Sequence, residues 1–303
     1  MLDIIVLGAA AGGGFPQWNS GAPACKRARA GDPTAQSCTQ ASLAVSGDGI
    51  HWYVLNASPD LRTQINQTPA LHPRTGLRST PISGVVLTSG EIDAITGLLT
   101  MREKQAFSLY ATAPVLEQLA VNPVFNALDR TLVPRHEMHS GQPVALTPAG
   151  FSITPFAVPG KVPLYAEQGE NPAEIKTDGE FIGLDISDGK QHVLFIPGCA
   201  MMTDALRKRL KTADVVFFDG TLWTDDEMVR MGLGQKTGRR MGHMSVADTP
   251  DGTIATFANL NIPHKILIHI NNSNPILLAD SPERKQAKEA GWDIAYDGMR
   301  LTL

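Results

Sequence analysis

Three side chains that follow short apolar runs are the best candidates for chemistry in this chain. Asp93 comes one polar turn after Val85-Val86-Leu87, Asp219 closes Val215-Val216-Phe217-Phe218, and His269 follows Ile266-Leu267-Ile268. Such runs read as buried strands, and α/β folds place their chemistry where strands exit into loops. One imidazole and two carboxylates brought together would hold a metal ion. Oxygen and imidazole donors suit Fe(II), Mn(II) or Zn(II), and the oxygen-rich balance favours iron or manganese over zinc. Each residue also has an ordinary reading. Asp93 would cap a helix, Asp219 would close a turn at Gly220, and His269 would bond backbone inside a core. Their shared position at strand exits unites them.

A second set could meet a substrate. His243 lies in the polar segment Thr237-Gly238-Arg239-Arg240-Met241-Gly242-His243 and is a candidate ligand or acid/base. Arg239 and Arg240 could clamp a carboxylate bidentately, and Lys161 could hold one as a point charge. Asn272, in the asparagine-rich stretch after His269, is a further candidate contact. His51, His72, His136, His139, His192 and His264 read as structural.

The elements that must position these groups are legible in outline. Asp3-Ile4-Ile5-Val6-Leu7-Gly8 is a strand running into Ala9-Ala10-Ala11-Gly12-Gly13-Gly14. The glycine spacing does not match a dinucleotide fingerprint, so a close-packed turn is expected. Residues 19–32 read as a surface loop. Strands over 39–45 and 50–56 form a hairpin at Gly47-Asp48-Gly49. Ser58 would cap a helix starting at Pro59, with Asp60 in its first turn or supporting the site. Ile95, Leu98, Leu99 and Met101 have helical spacing. Strands follow at 108–111, 151–158, 181–187, 191–196, 214–220 and 265–275, with helices over 113–119 and from Thr203 or Asp204 through Leu210. Residues 165–179, rich in Glu, Gly and Asn, read as a mobile loop. Many hairpins and two halves of similar content predict an αββα sandwich: two facing mixed β-sheets with helices outside, in one domain over 1–303.

Composition narrows the function. The 303 residues are 43% hydrophobic and 18% charged with a net charge of −4, an ordinary globular balance. A nucleic-acid surface would be basic. No apolar run approaches the roughly 18 residues of a membrane span, and no signal peptide is read. Cys25, Cys38 and Cys199 make no disulfide framework and fit a reducing, cytoplasmic setting. If the chain assembles, a symmetric homodimer is the expected form.

The frame Thr88-x-x-x-x-Asp93-x-x-x-Gly97-Leu98 after an apolar strand resembles the metallo-β-lactamase superfamily, whose turn reads T-H-x-H-x-D-H. Ser89 and Glu91 stand at the first two histidine positions and Ala94 at the last. Further segments resemble one branch, the coenzyme PQQ biosynthesis protein B family. They are Gly8-Ala9-Ala10-Ala11-Gly12-Gly13-Gly14-Phe15-Pro16-Gln17-Trp18-Asn19, Asn56-Ala57-Ser58-Pro59-Asp60-Leu61-Arg62, Gly97-Leu98-Leu99-Thr100-Met101-Arg102-Glu103, Phe218-Asp219-Gly220-Thr221-Leu222-Trp223, Gly242-His243-Met244 and His269-Ile270-Asn271-Asn272-Ser273-Asn274-Pro275. They span nearly the whole chain in the family's order.

The resemblance implies a role in making pyrroloquinoline quinone (PQQ), by iron- and dioxygen-dependent hydroxylation of the tyrosine ring of a Glu-Tyr-derived precursor. An alternative within the family is a carrier of the quinone or its precursor towards the periplasm. Hydrolysis, implied by the superfamily alone, is disfavoured by the missing first-site histidines. The implied ligands are Asp93, Asp219 and His269, with Ala94 where another histidine would stand and Glu91 or water available to replace it. Many members carry an N-C-x-C-x-x-C zinc site after the first strand. Here Ser20, Ala22 and Cys25 occupy the cysteine places, so no structural zinc is expected.

Overall fold

Alternation in the first strand shows how the layers form. Ile4 and Val6 join one apolar cluster and Ile5 and Leu7 another, as the two-residue period of a strand requires. The computed structural model describes residues 1–166 and 175–303. The strands are β1 (Asp3–Gly8), β2 (Ser42–Ser46), β3 (Trp52–Leu55), β4 (Ile82–Val86), β5 (Ser108–Ala111), β6 (Arg135–Glu137), β7 (Val144–Leu146), β8 (Phe151–Ala157), β9 (Ile182–Ser187), β10 (His192–Ile196), β11 (Val215–Asp219), β12 (His264–Ile268), β13 (Trp292–Ile294) and β14 (Arg300–Thr302). They form two seven-stranded sheets, β14-β1-β2-β3-β4-β5-β6 and β13-β12-β11-β10-β9-β8-β7. In the first, β14 to β3 pair antiparallel and β3 to β6 parallel. In the second, β7 to β10 pair antiparallel and β10 to β13 parallel. Each sheet is therefore mixed, with the same sequence of directions.

One apolar cluster lies between the sheets. It joins Val6, Leu43 and Leu55 of the first to Leu184, Phe195 and Phe217 of the second, and continues beneath the helices Asp204–Leu210 and Thr253–Phe257. The other lies on the outer face of the first sheet. There Val54, Val85 and Leu109 meet Leu61, Leu98, Val115 and Leu119 of the covering helices. Among the described residues no helix is long and apolar enough to cross a membrane.

Several local expectations need correction. Residues 19–32 are not simply a loop, because Pro23–Arg29 is a helix. Pro23 starts it, Lys26, Arg27 and Arg29 fill its last turn, and it buries Cys25. The helix expected from Pro59 begins at Leu61, and Asp60 makes no capping bond. The Asp60 carboxylate instead accepts bonds from Gln40 N and Nε2, both at 2.9 Å. Gln40 Oε1 in turn accepts from Gly13 N at 3.0 Å, so Asp60 braces the glycine-rich turn. The helix after β4 is α-helical only over Ile92–Ile95 and 3-10 over Thr96–Met101. Gly97 lies at the break, where a Cβ would stand 2.1 Å from the carbonyl oxygen of Ser58. Of the expected mobile loop, residues 167–174 lie outside the described residues.

Candidate metal centre

The strand exits of both sheets open into one cleft of about 510 Å³. Its floor forms at the end of β11. Asp219 is fully buried, and such a carboxylate must be hydrogen-bonded or paired. Cys199 N and Thr221 N donate to it at 2.9 and 3.0 Å, Thr221 Oγ1 contacts it at 2.7 Å, and His243 Nδ1 lies 2.7 Å from Oδ2. Burial opposes its charge, but His243, His269 and Thr221 hold its pKa below the usual carboxylate value.

His269 stands one residue beyond β12 with a φ of 59°. This left-handed backbone is uncommon outside glycine and asparagine and costs of order 1–3 kcal/mol. The conformation turns the ring inward. Nε2 lies 2.8 Å from Asp93 Oδ2, and Nδ1 lies 2.8 Å from Thr221 Oγ1. His243 stacks beside it, with ring centroids 5.2 Å apart and planes at 20°. Burial disfavours the charged ring, but Asp93 outweighs it and raises the His269 pKa above the usual histidine value. Asp93 is correspondingly lowered against its own burial, chiefly by His269.

The turn after β4 is held from the first sheet. Asn56, also at positive φ (62°), donates from Nδ2 to Thr88 Oγ1 and accepts from Thr88 N, each at 2.9 Å. Ala57 N donates to Ala94 O at 2.7 Å. These bonds set Ser89, Glu91, Asp93 and Ala94 along the cleft wall. Burial and the neighbouring Asp93 raise the Glu91 pKa.

Of the residues singled out from sequence, Asp219, His243 and His269 each bring a donor atom within 4.8 Å of the others. Asp93 joins them through His269, and Glu91 and Lys161 line the same cleft. Three residues lie elsewhere. Arg239 and Arg240 line a neighbouring depression that meets the cleft only at His243, because the helix Gly238–Met241 turns them outward. Asn272 is buried behind the cleft, bonded from Nδ2 to Gln17 Oε1 and near Cys25 Sγ. Its place at the cleft is taken by Asn271.

Sequence reasoning missed Thr221, Lys236 and the supporting Glu227. Glu227 accepts from Trp223 N and Ser273 Oγ, each at 2.6 Å, and Ser273 Oγ in turn accepts from Asn271 Nδ2. Thr221 was readable only as a threonine two residues beyond a strand-exit aspartate. The donor set fits a divalent cation: two carboxylates, Asp93 and Asp219, and two imidazoles, His243 and His269, converge at hydrogen-bond separations.

Two facing mixed sheets with a donor cluster at their strand exits define the metallo-β-lactamase fold. A β-lactamase superfamily domain model matches residues 51–270. A PhnP-family diphosphatase shares the fold at 20% identity, with a TM-score of 0.66 over 100% of this chain and 98% of that one. Within that class, coenzyme PQQ synthesis protein B of Gluconacetobacter diazotrophicus is 68% identical, and that of Xanthomonas campestris 56% identical. Both alignments cover the whole of each chain. The crystal structure of Zn(2+)-bound PqqB from Methylobacterium extorquens is 44% identical with a TM-score of 0.96, covering 99% of this chain and 100% of that one. This chain belongs to the coenzyme PQQ synthesis protein B family, and its role lies in the synthesis of that coenzyme.

Proposed function

We propose that the chain is an iron-dependent oxygenase that hydroxylates the tyrosine ring of a Glu-Tyr-derived precursor of PQQ. The observation that carries this reading is the convergence of Asp219, His243 and His269, with Asp93 against His269, inside a cleft that also presents Lys161. These four residues would hold the metal. Fe(II), when bound, supplies the one-electron chemistry with dioxygen that ring hydroxylation requires. Zn(II) and Mn(II) suit the same donors.

The protein's own part is to bind, orient and exclude water. Lys161 and Lys236 place positive charge on the wall for substrate carboxylates. Phe181, Met228 and Met241 give the ring an apolar surface, while Gln40 and Asn271 offer amide groups to its polar edge.

A second reading is favoured by Ala94, which faces the cleft with a methyl group that coordinates nothing. On that reading the cleft sequesters PQQ or its precursor and passes it on without chemistry. The two are separated by loading the protein with Fe(II) anaerobically, adding precursor and a reductant such as ascorbate to supply the two electrons that reduce the second oxygen atom to water, and admitting dioxygen. Oxygen uptake with a mass gain of one oxygen atom on the precursor supports the oxygenase. Saturable binding of quinone or precursor, with no oxygen uptake at full iron loading, overturns it in favour of the carrier.

A further inference from the structure

One buried carboxylate outside the metal centre is joined to the cleft by a chain of hydrogen bonds. Glu227 is buried at the start of the helix Glu227–Arg230. Its Oε2 accepts from Trp223 N at 2.6 Å and from Thr224 N at 3.3 Å. Its Oε1 lies 2.6 Å from Ser273 Oγ. Burial raises the Glu227 pKa, and these three bonds oppose that rise. Beyond Ser273 comes Asn271, whose Nδ2 reaches Ser273 Oγ and whose side chain lines the cleft. The Asn271 backbone is tied to the metal centre as well, since its N–H donates to Thr221 O at 3.0 Å.

The chemistry of these groups fixes the direction of each bond. A carboxylate only accepts, so Ser273 gives its one proton to Glu227. Ser273 Oγ then has lone pairs alone to offer, and Asn271 must meet them with a hydrogen from Nδ2. That settles which end of the carboxamide is which. Oδ1 falls on the other side, where Asn272 Nδ2 donates to it at 3.2 Å and is itself held by Gln17 Oε1. One Nδ2 hydrogen and one Oδ1 lone pair of Asn271 remain for a ligand. This pair suits an oxygen on an aromatic ring, because a phenol both donates and accepts and a quinone carbonyl accepts. Met228, which follows Glu227 in the chain, lines the same cleft, so one carboxylate fixes both an apolar wall and a polar contact.

We propose that Glu227, acting through Ser273, is a positioning residue that holds the Asn271 carboxamide as the contact for the ring oxygen of an aromatic ligand. The cleft thereby selects a ring that bears an oxygen. This rests on the reading of the cleft as the seat of a Glu-Tyr-derived ligand, whether that ligand is hydroxylated or carried. A site built around a hydrogen bond to a ligand oxygen discriminates against the analogue that lacks it, because its own polar groups are left unpaired.

The test uses the full chain and two dipeptides, L-Glu-L-Tyr and L-Glu-L-Phe, which differ only in the ring oxygen. Calorimetric titration gives the ratio of their affinities. Damage to the cleft that is merely structural weakens both ligands alike and leaves the ratio unchanged. The parent should favour L-Glu-L-Tyr by about 10-fold or more. Asn271→Ala should bring the ratio to about one. Glu227→Gln keeps the shape, but its amide oxygen stays with the backbone N–H groups and its Nε2 turns to Ser273. Ser273 then points its hydrogen at Asn271 and the carboxamide flips, so the ratio should fall below about threefold. Ser273→Ala cuts the chain and should do the same.

A parent ratio within about twofold of one overturns the proposal whatever the variants do, and leaves the ligand class of the cleft standing. A parent-like ratio in Asn271→Ala, in Ser273→Ala or in folded Glu227→Gln also overturns it. If Glu227→Gln does not fold, Ser273→Ala decides. Binding of neither dipeptide to the parent overturns the proposal together with the ligand class. A selective parent that takes up no oxygen with iron bound counts against the oxygenase reading alone.

Discussion

The exits of β4 and β11 occupy matching places, each the second strand of its sheet's parallel run, yet they carry unequal chemistry. At β11 a fully buried aspartate is held by two backbone donors, a threonine and a histidine, and β12 beside it delivers His269. At β4 the corresponding turn presents Ser89, Glu91, Asp93 and Ala94, and only Asp93 touches an imidazole. The scaffolding is preserved in both, since Asn56 and Thr88 brace the first turn as firmly as Thr221 braces the second. The candidate metal centre therefore rests mainly on the second sheet. The first supplies the cleft wall, one carboxylate and a methyl group where a ligand would complete the set.

The sharpest way to break this comparison is to remove the anchor of the second half. Asp219→Ala leaves the backbone donors of Cys199 and Thr221 unmatched and His243 without its acid. It should abolish metal binding and lower stability by about 3–5 kcal/mol, read by denaturant titration beside metal analysis. Unchanged metal content would return the weight to the first half.

A smaller effect tests how the first half's glycine-rich turn is held. Asp297 accepts from Ala9 N at 3.1 Å and from Thr39 N and Oγ1 at 2.7 Å, and burial raises its pKa to about 6 from 3.8. The folded state thus binds this proton more tightly than the unfolded state. The resulting stabilisation is present below the unfolded value and lost as pH rises through about 6, by roughly 3 kcal/mol at most. Asp297→Asn should flatten that slope in thermal unfolding between pH 4 and about 7, and an unaltered slope would place it elsewhere.

Restoring the first half should sharpen the contrast. Ala94→His adds a donor to the cleft wall and should tighten Fe(II) or Zn(II) binding by more than the roughly tenfold that a supporting contact is worth. No change in a competitive chelator titration would mean that Glu91 or water already serves that position. The smallest effects belong to Arg239→Ala and Arg240→Ala. Because these side chains lie outside the cleft, stability should stay within about 0.5 kcal/mol and calorimetric precursor affinity should not change, whereas Lys161→Met should reduce that affinity.

Much of the fold was legible because its signals are local. Apolar runs ending in Asp219 and before His269, and the hairpin at Asp188-Gly189, give strands where they are found, although the strand expected over 265–275 stops at Ile268, where His269 turns left-handed. Asp93, Asp219 and His269 could be singled out because each follows such a run. What escaped depends on tertiary approach. Nothing in the spacing of His243 shows that its ring stacks on His269 twenty-six residues away. Arg239 and Arg240 resembled a carboxylate clamp until the helix carrying them turned them away from the cleft. The helix Pro23–Arg29 was missed because a seven-residue basic segment that buries only Cys25 has no apolar period to reveal it.

The position of a bound metal ion is the most direct test. Crystals soaked in Fe(II) or Zn(II) and measured across the metal's absorption edge would locate it by anomalous scattering. A peak is expected between Asp219, His243 and His269, beside Asp93. A peak that avoids these residues, or none at saturating metal, would contradict this site.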